Sequence, residues 1–243
     1  MNECIVSNTF MNLKNFQKEL RAKANPAKAK TFAGFFKTGR GEYGEGDVFL
    51  GITVPDQRKI AAKFPHLTLA ELKELLRSRV HEHRFSALEV LVMQYEKATE
   101  RRKGEIARFY IKNAKRVNNW DLVDTSAPYI PGNHLLNRSK KILYHFAKSS
   151  NVWKRRIAII STHAFIRENR FDDTLALAAL LLDDKHDLIH KAVGWMLREV
   201  GKRSLKTEEN FLKQYAHRMP RTMLRYAIER FPQAKRMRYL TRT

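Results

Sequence analysis

Apolar side chains recur along this chain at spacings of three and four, a period that suits α-helices and almost nothing else. Leu69, Leu72, Leu75 and Leu76 form one stripe. Leu88, Leu91, Val92 and Tyr95 form a second, Ile157, Ile160 and Ala164 a third, and Val193, Leu197 and Val200 a fourth. Alternating strand patterns are scarce, and only 10 Gly and 7 Pro punctuate 243 residues. Pro26, Pro55 and Pro220 suit first helical turns. Asn118 followed by Asp121 resembles a capping box, and Pro131-Gly132 marks a firm break. The pattern predicts about a dozen helices of roughly 10 to 18 residues joined by short turns.

The helices repeat. In HRFSAL (83–88), KRRIAI (154–159) and HKAVGW (190–195), a basic residue precedes a small one by three positions, and PRTMLR (220–225) continues the series. The basic positions are Arg84, Arg155, Lys191 and Arg221, at intervals of 71, 36 and 30 residues. That is two periods, one, and a shortened one, with the missing repeat centred near 120. A period of about 36 residues holding two helices describes a solenoid of HEAT or armadillo type. The expected fold is therefore an all-α, right-handed solenoid of HEAT-like repeats, a single domain over 1–243. Basic residues at equivalent positions would form a cationic stripe on its inner face. The alternative for each of them is a bond to a neighbouring helix end.

One segment stands apart, TGRGEYGEGDVFLG (38–51), with four glycines in eight residues. No Gly-Lys-Ser/Thr follows, and Glu42, Glu45 and Asp47 would repel a phosphate. It is expected to be an ordered surface loop between two helices. The stretch 202–243 carries twelve Lys or Arg against three acids. Its stripe of Leu205, Phe211, Leu212 and Tyr215 keeps it within the fold.

Charge decides the partner. Forty-seven Lys and Arg oppose 25 Asp and Glu, a formal charge of +22. Such a surplus attracts polyanions, and neutralising phosphates releases their counterions. Nucleic acid fits this better than an anionic membrane surface. With 43% hydrophobic residues the chain is no disordered basic tail. MNECIVSN does not read as a secretory signal, and no apolar run reaches the ~20 residues that span a bilayer. The one cysteine, Cys4, excludes an internal disulfide and a Cys-rich zinc site. A cytoplasmic, nucleoid-associated monomer without metal or cofactor is expected.

Trp120 and Asp124 lie four apart, so they share a helix face. Two periods of the repeat bring Trp195 to the level of Asp124, and one brings Arg155 or Arg156 near Trp120. The expected patch is two indoles, a carboxylate and an arginine in a basic groove. Indole faces attract cations by about 0.5–2 kcal/mol each, a carboxylate stabilises developing positive charge, and arginine suits phosphate. Together they fit a cationic group carried on a polyanion, such as an N3- or N7-alkylated purine in DNA. A cationic base leaves without being protonated, so one carboxylate suffices where sugar hydrolases usually use two. Asp121, turned about 100° from Trp120, is assigned to helix capping.

At these residues the chain resembles the AlkD-like DNA alkylation-repair glycosylases, which are built of HEAT-like repeats. The resembling segments are FFKT (35–38), FLGI (49–52) with Val54-Pro55, WDLVD (120–124), NVWKRR (151–156) and KAVGWMLRE (191–199). The resemblance implies that Asp124 is the catalytic aspartate. It implies that Trp120 and Trp195 cradle the lesion nucleotide and that Arg156 contacts the DNA backbone. It also implies release of N3- and N7-alkylated purines from double-stranded DNA as free bases, without a metal and without drawing the base into a deep pocket. Phe35 stands where relatives can carry Tyr, keeping the aromatic face and losing the hydroxyl. Related subfamilies without the aspartate bind DNA and do not cut, whereas this chain keeps it. A non-catalytic binder of damaged or branched DNA, and a protein-interaction scaffold, are the other readings.

Overall fold

The structure, a computed structural model, describes the backbone of residues 2–241 and the side chains of residues 12–241. Cys4 lies outside the described side chains. Among the described residues there are helices and turns and no strand, with one isolated bridge between Val48 and Val80. The chain divides into two compact units, 1–126 and 127–243.

The first unit holds α1 (Asn2–Ala22), α2 (Pro26–Phe35), α3 (Val54–Lys63), α4 (Leu69–Arg77), α5 (His81–Lys97), α6 (Glu100–Lys112) and α7 (Trp120–Asp124). Helix α5 is its spine, packed by α3, α4, α6 and α7. Helix α4 shows why the sequence folds this way. Thr68 caps it, accepting from Glu71 N at 3.3 Å while Glu71 accepts from Thr68 N at 2.7 Å, a complete capping box. Such a cap is worth about 1 kcal/mol. Its expected stripe then buries Leu72, Leu75 and Leu76, while Leu69 stays part-exposed.

The second unit holds α8 (Asn133–Leu135), α9 (Lys141–Ala147), α10 (Val152–Ser161), α11 (His163–Arg167), α12 (Asp172–Leu180), α13 (Asp187–Arg203), α14 (Leu205–Tyr215), α15 (Arg221–Ala227) and α16 (Gln233–Thr241). Here α13 is the spine, packed by α10, α14 and α15. The row α10, α13, α15 begins at 152, 187 and 221, steps of 35 and 34 residues that match the expected period. In the first unit α3, α5 and α7 begin at 54, 81 and 120, so the period drifts there to 27 and 39.

The small residues of the repeat are packing devices. Ala87, Ala158 and Gly194 are all buried. A Cβ at Gly194 would collide with Met223 O and lie 2.5 Å from Tyr226 Cβ, so glycine lets α15 close on α13. Three sequence expectations are corrected. Helices as short as α7 and α8 fall below the expected lengths. Pro131-Gly132 is no break, because the chain runs through a wide π-type turn (Pro128–Gly132) into α8. Pro220 is the N-cap of α15 and lies outside its first turn.

Glu208 on α14 is 2% exposed, and one of its carboxylate oxygens has no hydrogen-bond partner. Burial pushes its pKa up to about 8, against the pull of Lys235 and Arg198. The folded protein thus keeps a proton that the unfolded chain releases near 4.5. Stability should fall as pH rises from about 4.5 to about 8. Glu208→Gln keeps the shape and removes the titration. It is expected to raise unfolding free energy at pH 8.5 by about 2–4 kcal/mol and change little at pH 5. Equal urea midpoints for both proteins at pH 8.5 would show that Glu208 ionises freely.

Candidate functional site

Helix α7 is set by its cap. Asn119 is the N-cap, its side-chain oxygen accepting from Trp120 N at 2.8 Å. The expected Asn118–Asp121 capping box is therefore wrong. Asp121 instead turns inward, where its carboxylate meets His81 Nε2 at 2.7 Å. The opposite ring nitrogen, His81 Nδ1, lies 3.2 Å from Asp47, and Arg84 Nη2 donates to the same Asp47 oxygen at 2.6 Å. All four side chains are at most 13% exposed. Two carboxylates face a guanidinium and an imidazole, so the cluster is neutral when His81 is protonated. Burial opposes that charge, yet Asp121 and Asp47 raise the His81 pKa above its ordinary value. Burial likewise works against Asp47, and His81 and Arg84 hold its pKa below the usual carboxylate range.

This network fixes the loop 38–51. Val48 N donates to Arg79 O and His81 N to Val48 O, at 2.9 and 2.8 Å. The buried Glu82 accepts from the amides of Leu50, Gly51 and Ile52 at 2.8 to 3.2 Å. Gly51 has φ +80°, and a Cβ there would collide with Asn25 O, so the turn demands glycine. Glu42 and Glu45 accept from the loop's own amides, those of Gly39 and Gly41. The loop bridges α2 and α3 as expected, but its Asp47 end is interior and not surface.

Above the network lies an aromatic stack. Phe49 stacks on His81 with centroids 4.5 Å apart, Phe36 on Phe49 at 5.0 Å, and Trp120 on Phe36 at 5.3 Å and 12°. Phe35 closes it edge-on, 5.9 Å from Trp120, and is 62% exposed. Trp120 and Asp124 are both part-exposed, one helical turn apart on α7. The buried Tyr110 is bonded to Ser126 at 2.9 Å. Burial, with the charge of Asp124 added, holds the Tyr110 phenol well above its ordinary pKa. Phe35, Trp120 and Asp124 thus share one small region, with the carboxylate neither sealed in the core nor fully solvated. His81, Asp47 and Phe36 build this region and were not assigned to it from sequence. The FFKT segment was the available signal for Phe36.

In the second unit Trp195 is part-exposed on α13, its indole N–H donating to Glu199 at 3.0 Å and His163 lying 6.2 Å from the ring. The cationic stripe is corrected. Arg84 donates to Ser78 O at 2.8 Å and pairs with Asp47. Arg155 donates to Ser149 O at 2.9 Å and pairs with Asp184 at 2.6 Å. Lys191 pairs with Asp187 at 2.7 Å, and its neighbour His190 donates to Asp184 O at 2.5 Å. Arg221 donates to Leu240 O. Arg84 and Arg155, and His190 beside the third repeat position, each reach a carbonyl six residues earlier, so in these three helices a basic side chain ties the helix to the turn before it. Arg156 is 4% exposed and donates to Leu188 O at 2.6 Å. The arginine expected at the DNA backbone is thus held inside the unit.

Among the described residues no group of three or more His, Cys, Asp or Glu could hold a metal ion, and no helix is long and apolar enough to cross a membrane. A sequence model of the family described as DNA alkylation repair enzyme matches residues 16–231. Among solved structures, the chain is similar to a predicted DNA alkylation repair enzyme from Enterococcus faecalis. Identity is 16% and TM-score 0.69, over 87% of this chain and 98% of that one. It is also similar to AlkD2 from Streptococcus mutans, with 17% identity and TM-score 0.55 over 93% and 99%. At such identities the likeness speaks for the fold, an all-helical repeat type. Among curated proteins no match was found.

Proposed function

The chain belongs to the DNA alkylation repair enzyme family, and from that premise we propose that it is a monofunctional DNA glycosylase. Its substrates are N3- and N7-alkylated purines in double-stranded DNA, and its products are the free base and an abasic site. The observation that carries this reading is the part-exposed Asp124 carboxylate one turn from Trp120, at the end of an aromatic stack open to solvent through Phe35. Asp124 stabilises the oxocarbenium-like sugar as the base departs and orients the attacking water. Trp120, Trp195 and Phe35 meet the lesion nucleotide with their faces, and the cationic base supplies its own leaving-group activation. Lys191 faces DNA. Arg155 and Arg156 serve the second unit's packing first, and a phosphate contact from either needs its present bonds exchanged. The same reading takes 1–243 as one repeat domain that acts as a cytoplasmic monomer, with no cofactor.

The test is chromatography of bases freed from methylated duplex DNA. Free 7-methylguanine and 3-methyladenine are expected, with abasic sites accumulating and no strand cleavage by the protein itself. Tight binding to damaged or branched DNA with no free base would replace the enzyme by a non-catalytic binder.

A further inference from the structure

Among the residues of the segment KAVGWMLRE that the proposed site leaves unused are Gly194 and Arg198. Both point to a second feature. On the second unit, Thr222, Arg225, Tyr226, Glu229 and Arg236 line a cavity of about 480 Å³. The first four recur at i, i+3, i+4 and i+7, one continuous face running from α15 into the following turn. Gly194 packs beneath Tyr226, where a Cβ would press on the tyrosine's own Cβ at 2.5 Å. Arg198 forms an ion pair with Glu229. The motif therefore seats the aromatic ring and neutralises the one carboxylate in the wall.

What remains is cationic. Arg225 and Arg236 supply two positive charges, Glu229 one negative and Arg198 one positive, a balance of +2. Neither Arg225 nor Arg236 has a carboxylate partner among the described residues, and Arg236 Nε is buried without any hydrogen-bond acceptor. This sets them apart from Arg84, Arg155 and Lys191, whose charges are met by Asp47, Asp184 and Asp187. Tyr226 is 37% exposed. The cavity lies in the range of small-ligand sites, about 300–1,000 Å³, and is larger than a bare phosphate needs. A planar base fits the ring and a phosphodiester fits the paired guanidinium groups.

We propose that this cavity is a nucleotide subsite, holding one phosphodiester on Arg225 and Arg236 and an unstacked base against Tyr226. It rests on DNA being the substrate and adds a contact outside the lesion site, to an unpaired stretch of strand. Fluorescence anisotropy with a short single-stranded oligonucleotide tests it. Arg225→Gln with Arg236→Gln should weaken binding about tenfold and reduce the slope of log affinity against log salt by about 0.7, the value for one phosphate of a single strand. Tyr226→Phe should bind as wild type and Tyr226→Ala should bind less tightly, with its Cβ still against Gly194. Competition separates the sources of phosphate: a nucleoside monophosphate should displace the oligonucleotide at lower concentration than inorganic phosphate. Equal competition together with a silent Tyr226→Ala makes the cavity a plain anion site and overturns the proposal, as does an unchanged salt slope in the double variant. Base release from methylated duplex at saturating DNA reports separately on the glycosylase. Its absence in wild type removes the enzyme reading, and its persistence beside an unchanged slope removes only the subsite.

Discussion

Asp124→Asn is expected to slow release of alkylated base by at least about a hundredfold, the usual loss when one preorganised partner of a developing charge is removed. Duplex affinity should hold or tighten slightly, because taking a carboxylate from a +22 chain weakens no phosphate contact. Asn keeps the volume of the residue, and Asp124 is part-exposed, so the fold should survive. The informative control is Asp121→Asn, three positions earlier. Asp121 accepts from buried His81 and belongs to the scaffold, so that variant should lower stability before it touches chemistry. Single-turnover release on methylated DNA, paired with urea melts of both variants, separates the two roles. Wild-type release by Asp124→Asn would move the chemistry to another group.

The contrast between these two aspartates shows what the sequence could tell. Helix periodicity is local, and it correctly predicted the stripes that bury Leu72, Leu88, Ile157 and Val193. The face shared by Trp120 and Asp124 is local too, four residues on one short helix. Asp121 was misread because its partner, His81, lies 40 residues away. Asp47 was read as an exposed loop acid because its counterion, Arg84, lies 37 residues away. The same blindness produced the cationic stripe. A repeat of basic residues is visible in sequence, but a guanidinium bonded to a carbonyl six residues back looks there like one pointing at a phosphate. Arg225 and Arg236 went unnoticed for the opposite reason, since nothing in a basic stretch marks which cations lack a partner.

Asp47→Ala should destabilise the protein by about 3–5 kcal/mol, the usual cost of removing one partner from a buried ion pair. Asp47 is 6% exposed and is the direct acceptor for Arg84, whose guanidinium would keep close contacts only to a carbonyl and an imidazole, with the charges of Asp121 and Glu82 acting from farther off. Arginine does not discharge in response, so the cost cannot be relieved by titration there. His81 would lose one of its two carboxylates, and its raised pKa should fall toward the ordinary value. This gives a second readout. In wild type the His81 contribution is complete below about pH 6.5, the unfolded value, and is lost as pH rises through the higher folded value. In Asp47→Ala that contribution should be smaller, and its loss should be complete at lower pH. The aromatic stack provides a third. Phe49 rests on His81 and Trp120 on Phe36, so loosening the network should shift Trp120 fluorescence while the protein is still folded. An Asp47→Ala protein with wild-type melting, pH profile and emission would mean that the four buried charges do not hold Trp120 and Asp124 in place.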